Sequence, residues 1–301
     1  MTYRQVWLRL TPLYAESEAK AIARWLLESR FRLSLTDIYC GGLERLSASE
    51  LLALEQAICR LEKGEPVQYV VEQTTFCGRE FHVEPGVLIP RPETEELCRW
   101  IVEDNAECDE VVNTVLDIGT GSGCIAITLA AELPKTRVTA WDISVEALRI
   151  AQENAQHHSV DITLEKRDAL NLQWSKEEDG KLLDNVYCLL DNGYCPEVWS
   201  IIVSNPPYID EATERKSMAK NVLDYEPYEA LFAPQNQPDI FYRCIGDYAI
   251  YSLQPGGRLY FELNPLTAEI VSNYLLSLGF RNIEIRNDQF GRQRMLKAIK
   301  P

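Results

Sequence analysis

Histidine and methionine are scarce in this chain, with three of each among 301 residues, and no apolar run is long. Nothing approaches the roughly 20 consecutive apolar residues that cross a bilayer. The opening MTYRQVWLRLTPLY has scattered arginines and no long apolar core, which argues against a signal peptide. Two of the histidines are adjacent, His157-His158, and read as a solvated pair at a helix end, so no metal site is expected. The nine cysteines are odd in number and scattered singly without a CxxC pair. That pattern excludes a disulfide framework and a zinc site, and it suits reduced thiols in the cytoplasm. Positive charge is also short: 30 Lys and Arg stand against 46 Asp and Glu, a net charge of -16. Affinity driven by nucleic-acid phosphates is therefore not expected. Residues 1–70 carry nine side chains of each sign and are neutral, so the negative charge belongs to the remainder.

What is present is ordinary for a soluble globular protein, 46% hydrophobic and 25% charged, with length for one large or two ordinary domains. Residues 1–72 read as a helical bundle. ESEAKAIARWLLESR places Ala19, Ile22, Ala23, Leu26 and Leu27 on one face, and SASELLALEQAICRLEKG starts with a Ser47–Glu50 capping box. Its stripe is Leu51, Leu54, Ile58 and Leu61. Residues 73–92 read as a hairpin linker turning at Cys77-Gly78, with Pro90 and Pro92 leading into a helix. Residues 93–301 alternate strand and helix, which predicts a largely parallel sheet covered on both faces, an α/β fold. A helix is expected to end at Gly256-Gly257, and a final hairpin to add an antiparallel strand at the edge. Residues 175–199 fit the alternation poorly and read as an insertion.

Two stretches carry chemistry. LDIGTGSGC follows the first strand of the alternation and opens a helix. Gly119, Gly121 and Gly123 allow a tight turn against which a ligand can lie, with Thr120 and Ser122 between them. Asp142 ends the next strand, 19 residues after Gly123, where a carboxylate accepts hydrogen bonds from ribose hydroxyls. GxGxG preceded by Asp117 favours S-adenosylmethionine over a dinucleotide. That donor has an ammonium group for a carboxylate to hold and no pyrophosphate. Asp168, ending the third strand, is placed to reach the adenine amine, with Ala169 beside it. The second stretch is SIIVSNPPYID. Two prolines after an apolar strand remove backbone donors and leave acceptors on a stiff turn. The Asn205 side-chain carbonyl and the Pro206 backbone carbonyl suit a planar NH2 group, with Pro207 stiffening the turn and Tyr208 stacking on the flat acceptor. Accepting both hydrogens turns the nitrogen lone pair toward a methyl donor for in-line displacement. A glutamine amide and an adenine or cytosine amine present the same two hydrogens, so the turn does not choose between them.

Several blocks together resemble a known family. GEPVQYV at 64–70, PGVLIPRPETEEL at 85–97, VLDIGTGSGCIAI at 115–127, IIVSNPPYI at 201–209 and DYEPYEALFAP at 224–234 are similar to the release factor glutamine methyltransferases (the PrmC/HemK family). The resemblance implies a Rossmann-like class I methyltransferase domain of seven strands, the last antiparallel, behind a helical domain that docks the protein substrate. It implies methylation, by S-adenosylmethionine, of the glutamine in the GGQ tripeptide of bacterial-type peptide chain release factors. The donor would be held by Gly119–Gly123, Asp142 and the Asp168–Ala169 region, with Asn205 between donor and acceptor. The glutamine amide would meet Asn205, Pro206, Pro207 and Tyr208, with Pro90–Thr94 beside the donor pocket. The chain departs from the family in having Ala169 where an aromatic is common and FELNP where a glycine soon follows the glutamate. The expected partner is a release factor, with no direct nucleic-acid binding and no membrane. The rival readings are a nucleic-acid amino-methyltransferase, disfavoured by charge, and a donor-binding protein without catalysis, disfavoured by the intact NPPY.

Overall fold

The computed structural model describes residues 1–105, 114–133, 135–172, 198–234 and 237–301. Five helices open the chain: α1 (Tyr3–Leu10), α2 (Glu16–Phe31), α3 (Leu35–Tyr39), α4 (Ala48–Leu61) and α5 (Val67–Val71). The Ser47–Glu50 box caps α4, and Leu54, Ile58 and Leu61 are buried along it as the spacing predicts. They pack with Val6, Leu26 and Val70 in a core that belongs to these helices. Strands β1 (Gln73–Phe76) and β2 (Arg79–His82) pair antiparallel. Their two-residue turn has φ of 47° at Cys77 and 73° at Gly78, the left-handed pair that matches strand twist in a tight hairpin. Phe76 and Phe81 are buried with residues of α6 (Pro92–Asn105) and α7 (Cys124–Glu132), so the hairpin shares the core of the sheet.

The large sheet comprises β3 (Thr114–Ile118), β4 (Arg137–Asp142), β5 (Ile162–Lys166), β6 (Trp199–Ser204), β7 (Leu253–Glu262), β8 (Arg281–Asn287) and β9 (Gln293–Ile299), in the order β5-β4-β3-β6-β7-β9-β8. All neighbouring pairs are parallel except the two made by β9. Helices α6, α7 and α8 (Val145–His158) cover one face. Beyond β6 come the short helices α9 (Glu211–Glu214), α10 (Lys220–Tyr225) and α11 (Tyr228–Leu231). They are followed by α12 (Ile240–Ser252) and α13 (Ala268–Ser277), which cover the other face. Successive residues of β3 and β6 alternate between the two cores: Val115 and Ile201 face one, Leu116 and Ile202 the other. This is a seven-stranded class I methyltransferase architecture.

Two expectations need correction. The helix predicted to end at Gly256-Gly257 ends at Ser252, because Pro255 disfavours helical backbone in the residue before it. The two glycines lie instead within β7, where Gly256 (φ 76°) donates its N–H to the Lys300 carbonyl at 2.9 Å. The antiparallel strand is not at the edge either. β9, with Met295, Leu296 and Ala298 buried, takes the open side of apolar β7, and the more exposed β8 forms the edge. Of the stretch 175–199 singled out as an insertion, residues 175–197 lie outside the described residues.

Candidate active site

The strand order reverses between β3 and β6, and in an open α/β sheet the crevice outside the carboxyl ends of such strands receives ligands. Both chemical stretches leave the sheet there: Gly119 follows β3 and Asn205 follows β6. In the glycine loop φ is 78° at Gly119, 55° at Gly121 and 82° at Gly123. A Cβ at Gly119 or Gly121 would meet no atom within 4 Å, so the space beside the loop is open. The loop is pinned from β4. The Gly119 and Thr120 N–H groups donate to the Trp141 carbonyl at 2.8 and 3.0 Å, and the Gly121 N–H donates to Asp142 Oδ2 at 2.9 Å. From below, Asn154 Nδ2 donates to the Ser122 carbonyl at 2.8 Å and to the His82 carbonyl at 3.0 Å, tying the loop to the hairpin.

Asp117 is fully buried beneath this loop. Its Oδ2 accepts from Thr120 Oγ1 at 2.7 Å and from the Ala126 N–H at 3.2 Å, while Oδ1 has no partner. Burial, with a smaller push from the Asp142 charge, moves its pKa up to about 7. Asp142 is also shifted upward by burial, against opposition from the main-chain N–H groups it accepts. Its Oδ2 accepts from the Gly121 N–H and its Oδ1 from the Ser144 N–H, each at 2.9 Å, and a carboxylate oxygen has lone pairs for a further donor. Asp168 lies at the same end of the sheet, but its oxygens serve its own turn, accepting from the Leu170 N–H at 2.9 Å and from Asn171 Nδ2. Ala169 is half-buried against the cluster containing Trp141. The open glycine loop, the spare acceptor capacity of Asp142 and the unsatisfied carboxyl oxygen of Asp117 fit a nucleoside that carries a cationic group, as S-adenosylmethionine does.

At the end of β6 the sequence-predicted acceptors are joined by Thr94, from the block expected beside the donor pocket, and by Glu262 and Arg294, to which sequence reasoning gave no role. Asn205 Nδ2 donates to Thr94 Oγ1 at 3.2 Å. Thr94 Oγ1 donates to Glu262 Oε2 at 2.6 Å, and Tyr208 Oη donates to Glu262 Oε1 at 3.0 Å. Arg294 Nη1 donates to the Leu263 carbonyl at 3.0 Å and lies 3.4 Å from Tyr208 Oη. Burial raises the pKa of both Glu262 and Tyr208, and the Glu262 charge adds to the shift on Tyr208. Asn264 Nδ2 donates to the Tyr208 carbonyl at 3.2 Å and to Glu214 Oε1 at 2.9 Å, so the asparagine of FELNP buttresses the NPPY turn. Beyond the turn, Ile209 and Phe232 form a parallel bridge to the 224–234 block. Arg91 pairs with buried Glu226 of that block, which also accepts from the Ile89 N–H at 3.3 Å. A cavity of about 150 Å³ opens here, lined among others by Arg91, Asn205, Pro206, Tyr208, Met218 and Glu262. A larger hollow, about 370 Å³, lies at the opposite end of the sheet among Thr136, Arg137 and Thr163, away from this chemistry. A lone carboxylate ending the apolar run Leu259-Tyr260-Phe261 was the sequence signal for Glu262; Thr94 had none beyond its block.

Among the described residues, no group of three or more His, Cys, Asp and Glu could hold a metal, and no helix is long and apolar enough to cross a membrane. Comparison with known proteins bears on what the site does. Residues 115–200 match the family model "Methyltransferase domain", and residues 7–71 match "PrmC N-terminal domain". A protein of Bacteroides thetaiotaomicron named release factor glutamine methyltransferase is 40% identical, over 96% of this chain and 95% of its own length. One of the same name from Flavobacterium psychrophilum is 37% identical, over 96% of this chain and 94% of its own length. Among solved structures, a release-factor-specific protein-(glutamine-N5) methyltransferase of Alicyclobacillus acidocaldarius aligns with a TM-score of 0.39 and 24% identity. That alignment covers 73% of this chain and 99% of that one.

Proposed function

This chain belongs to the release factor glutamine methyltransferases, and on that premise we propose that it transfers a methyl group from S-adenosylmethionine to the side-chain amide nitrogen of a release factor's GGQ glutamine. The observation that carries the reading is the fixed carboxamide of Asn205 at the reversal of the sheet, one strand away from the glycine loop. With Nδ2 committed to Thr94, Oδ1 remains to accept from an amide NH2, and the Pro206 carbonyl offers the second acceptor. Gly119–Gly123 and Asp142 would hold the donor, with Asp117 beneath as a charge complement and the Asp168–Ala169 turn bordering the adenine. The donor supplies an electrophilic methyl on a sulfonium sulfur. Asn205 and Pro206 orient the amide and draw electron density onto its nitrogen, so no strong base is required before attack. The proton leaves once the nitrogen has become cationic. Tyr208, its hydroxyl held by Glu262, presents its ring to the cavity as a wall for the flat acceptor.

Residues 1–72 would dock the protein substrate, residues 73–92 link, and residues 93–301 carry the transfer. With a translation factor as partner, the protein would work in the cytoplasm, without a nucleic acid or membrane as ligand. The test is transfer of label from S-adenosylmethionine to a bacterial-type release factor, to the same factor with its GGQ glutamine changed to alanine, and to adenine-containing DNA. Label on the intact factor alone supports the proposal; label on DNA replaces it with the amino-methyltransferase reading.

A further inference from the structure

We propose that Thr94 and Glu262 are positioning residues that set which end of the Asn205 carboxamide faces the substrate, an inference that rests on the function proposed above. An Asn side chain has an accepting and a donating end of nearly the same shape, and only hydrogen bonding distinguishes them. Productive binding of an NH2 group needs the accepting end outward. A hydroxyl has one hydrogen, and that of Thr94 is taken by Glu262 Oε2 at 2.6 Å. Toward Asn205 the Thr94 oxygen can then only accept, which selects Nδ2 at 3.2 Å and turns Oδ1 away from Thr94. Glu262 in turn can only accept while it is a carboxylate, and its second oxygen holds the Tyr208 hydroxyl at 3.0 Å. One buried anion thereby fixes the polarity of two chains of hydrogen bonds, and both end on the NPPY turn.

The anion is built into the fold from four elements: Thr94 from α6, Tyr208 from the loop after β6, Glu262 from β7, and Arg294 from β9. Arg294 lies 3.4 Å from Tyr208 and 3.5 Å from Asp288, which brings a positive charge beside the network. Were the hydrogen of Thr94 free to point at Asn205, the carboxamide could turn over and offer an NH2 to the substrate's NH2. Donor would then face donor and the acceptor geometry would be lost.

The experiment compares wild type, Thr94→Val, Thr94→Ser and Glu262→Gln with labelled S-adenosylmethionine and a release factor. Donor affinity, measured by calorimetry, serves as the check of folding. Thr94→Val keeps shape and removes the hydroxyl; Glu262→Gln can donate back to Thr94 and scramble the polarity. Both are expected to lower kcat about ten- to a hundredfold, with KM for the factor and donor affinity within about twofold. Thr94→Ser is expected to recover most of the turnover lost in Thr94→Val, which a purely packing role would not require. Equal turnover in wild type and Thr94→Val, or loss of donor affinity in step with kcat in both Thr94→Val and Glu262→Gln, overturns the positioning role alone. Should Glu262→Gln alone fail to bind donor, Thr94→Val decides. Wild-type protein that labels no release factor overturns the proposed function as well.

Discussion

Asn205 follows β6 and Asp142 ends β4, on either side of the glycine loop after β3, and the proposed function gives them different tasks. Asn205→Ala removes an acceptor that acts on the reacting amide, so turnover should fall about ten- to a hundredfold while donor affinity holds. Asp142→Ala removes the carboxylate beside the glycine loop and should weaken donor binding instead; calorimetry together with steady-state rates distinguishes the two. Asp117 makes a prediction about pH. Its folded-state pKa lies near 7, above the ordinary carboxylate value near 4. Between those values the folded chain retains a proton that the unfolded chain releases. Stability from this group is therefore full below about pH 4, declines as pH rises through about 7, and is level above. Denaturation midpoints from pH 5 to 8 should show that decline, and Asp117→Asn should flatten it. Asp142 and Glu262, raised by burial, add in the same direction. The places of Asn205, Asp142 and the glycines were legible in the sequence because each lies within a few residues of a strand end. The contact of Thr94 with Glu262 was not, since it spans 168 residues and only the closed sheet creates it.

Among the elements, the glycine loop shows how similar residues can differ in role. At Gly123 the backbone is left-handed and a Cβ would stand 3.0 Å from Ile127 Cδ1 and 3.1 Å from Ala151 Cβ, both in the packed core. Gly123→Ala should cost about 2 kcal/mol or more from conformation and overpacking together. Gly121 is also left-handed but open on the ligand side. Gly121→Ala should cost about 1 kcal/mol of stability and show its main effect in donor affinity. Urea denaturation and calorimetry on the pair check both statements. Helix starts and the hairpin turn were readable from local chemistry: Ser47 and Ser144 cap the helices they precede, and Cys77-Gly78 turns as a two-residue loop. The end of α12 was misread because the Gly-Gly signal outweighed Pro255, which acts earlier in the chain. The place of β9 was misread because strand order depends on which strand best covers the open side of β7, a comparison of burial that periodicity does not contain.

For the molecule as a whole, alternating strand and helix with a neutral helical start was enough to reach the architecture, while the ties between distant blocks became visible only in three dimensions. The pair of Arg91 with Glu226 spans 135 residues and joins the segment before α6 to the loop beyond β6. Glu226 is almost wholly buried, so Arg91→Ala would strand its carboxylate with the Ile89 N–H at 3.3 Å as its remaining described partner. A loss on the order of 3 kcal/mol is expected by urea denaturation, with release of the 224–234 block detectable as faster amide exchange there. The parallel pairing of β3 with β6 sets Ile118 opposite Ser204, and the Ser204 hydroxyl donates to the Ile118 carbonyl at 2.6 Å. Gly119 and Asn205 therefore depart from facing positions on strands about 4.8 Å apart. On the proposed function the sheet acts as a gauge block: the interval between the two reactants would be machined by main-chain hydrogen bonds, and substitutions on either face of the sheet would alter how firmly the block is held without changing its width.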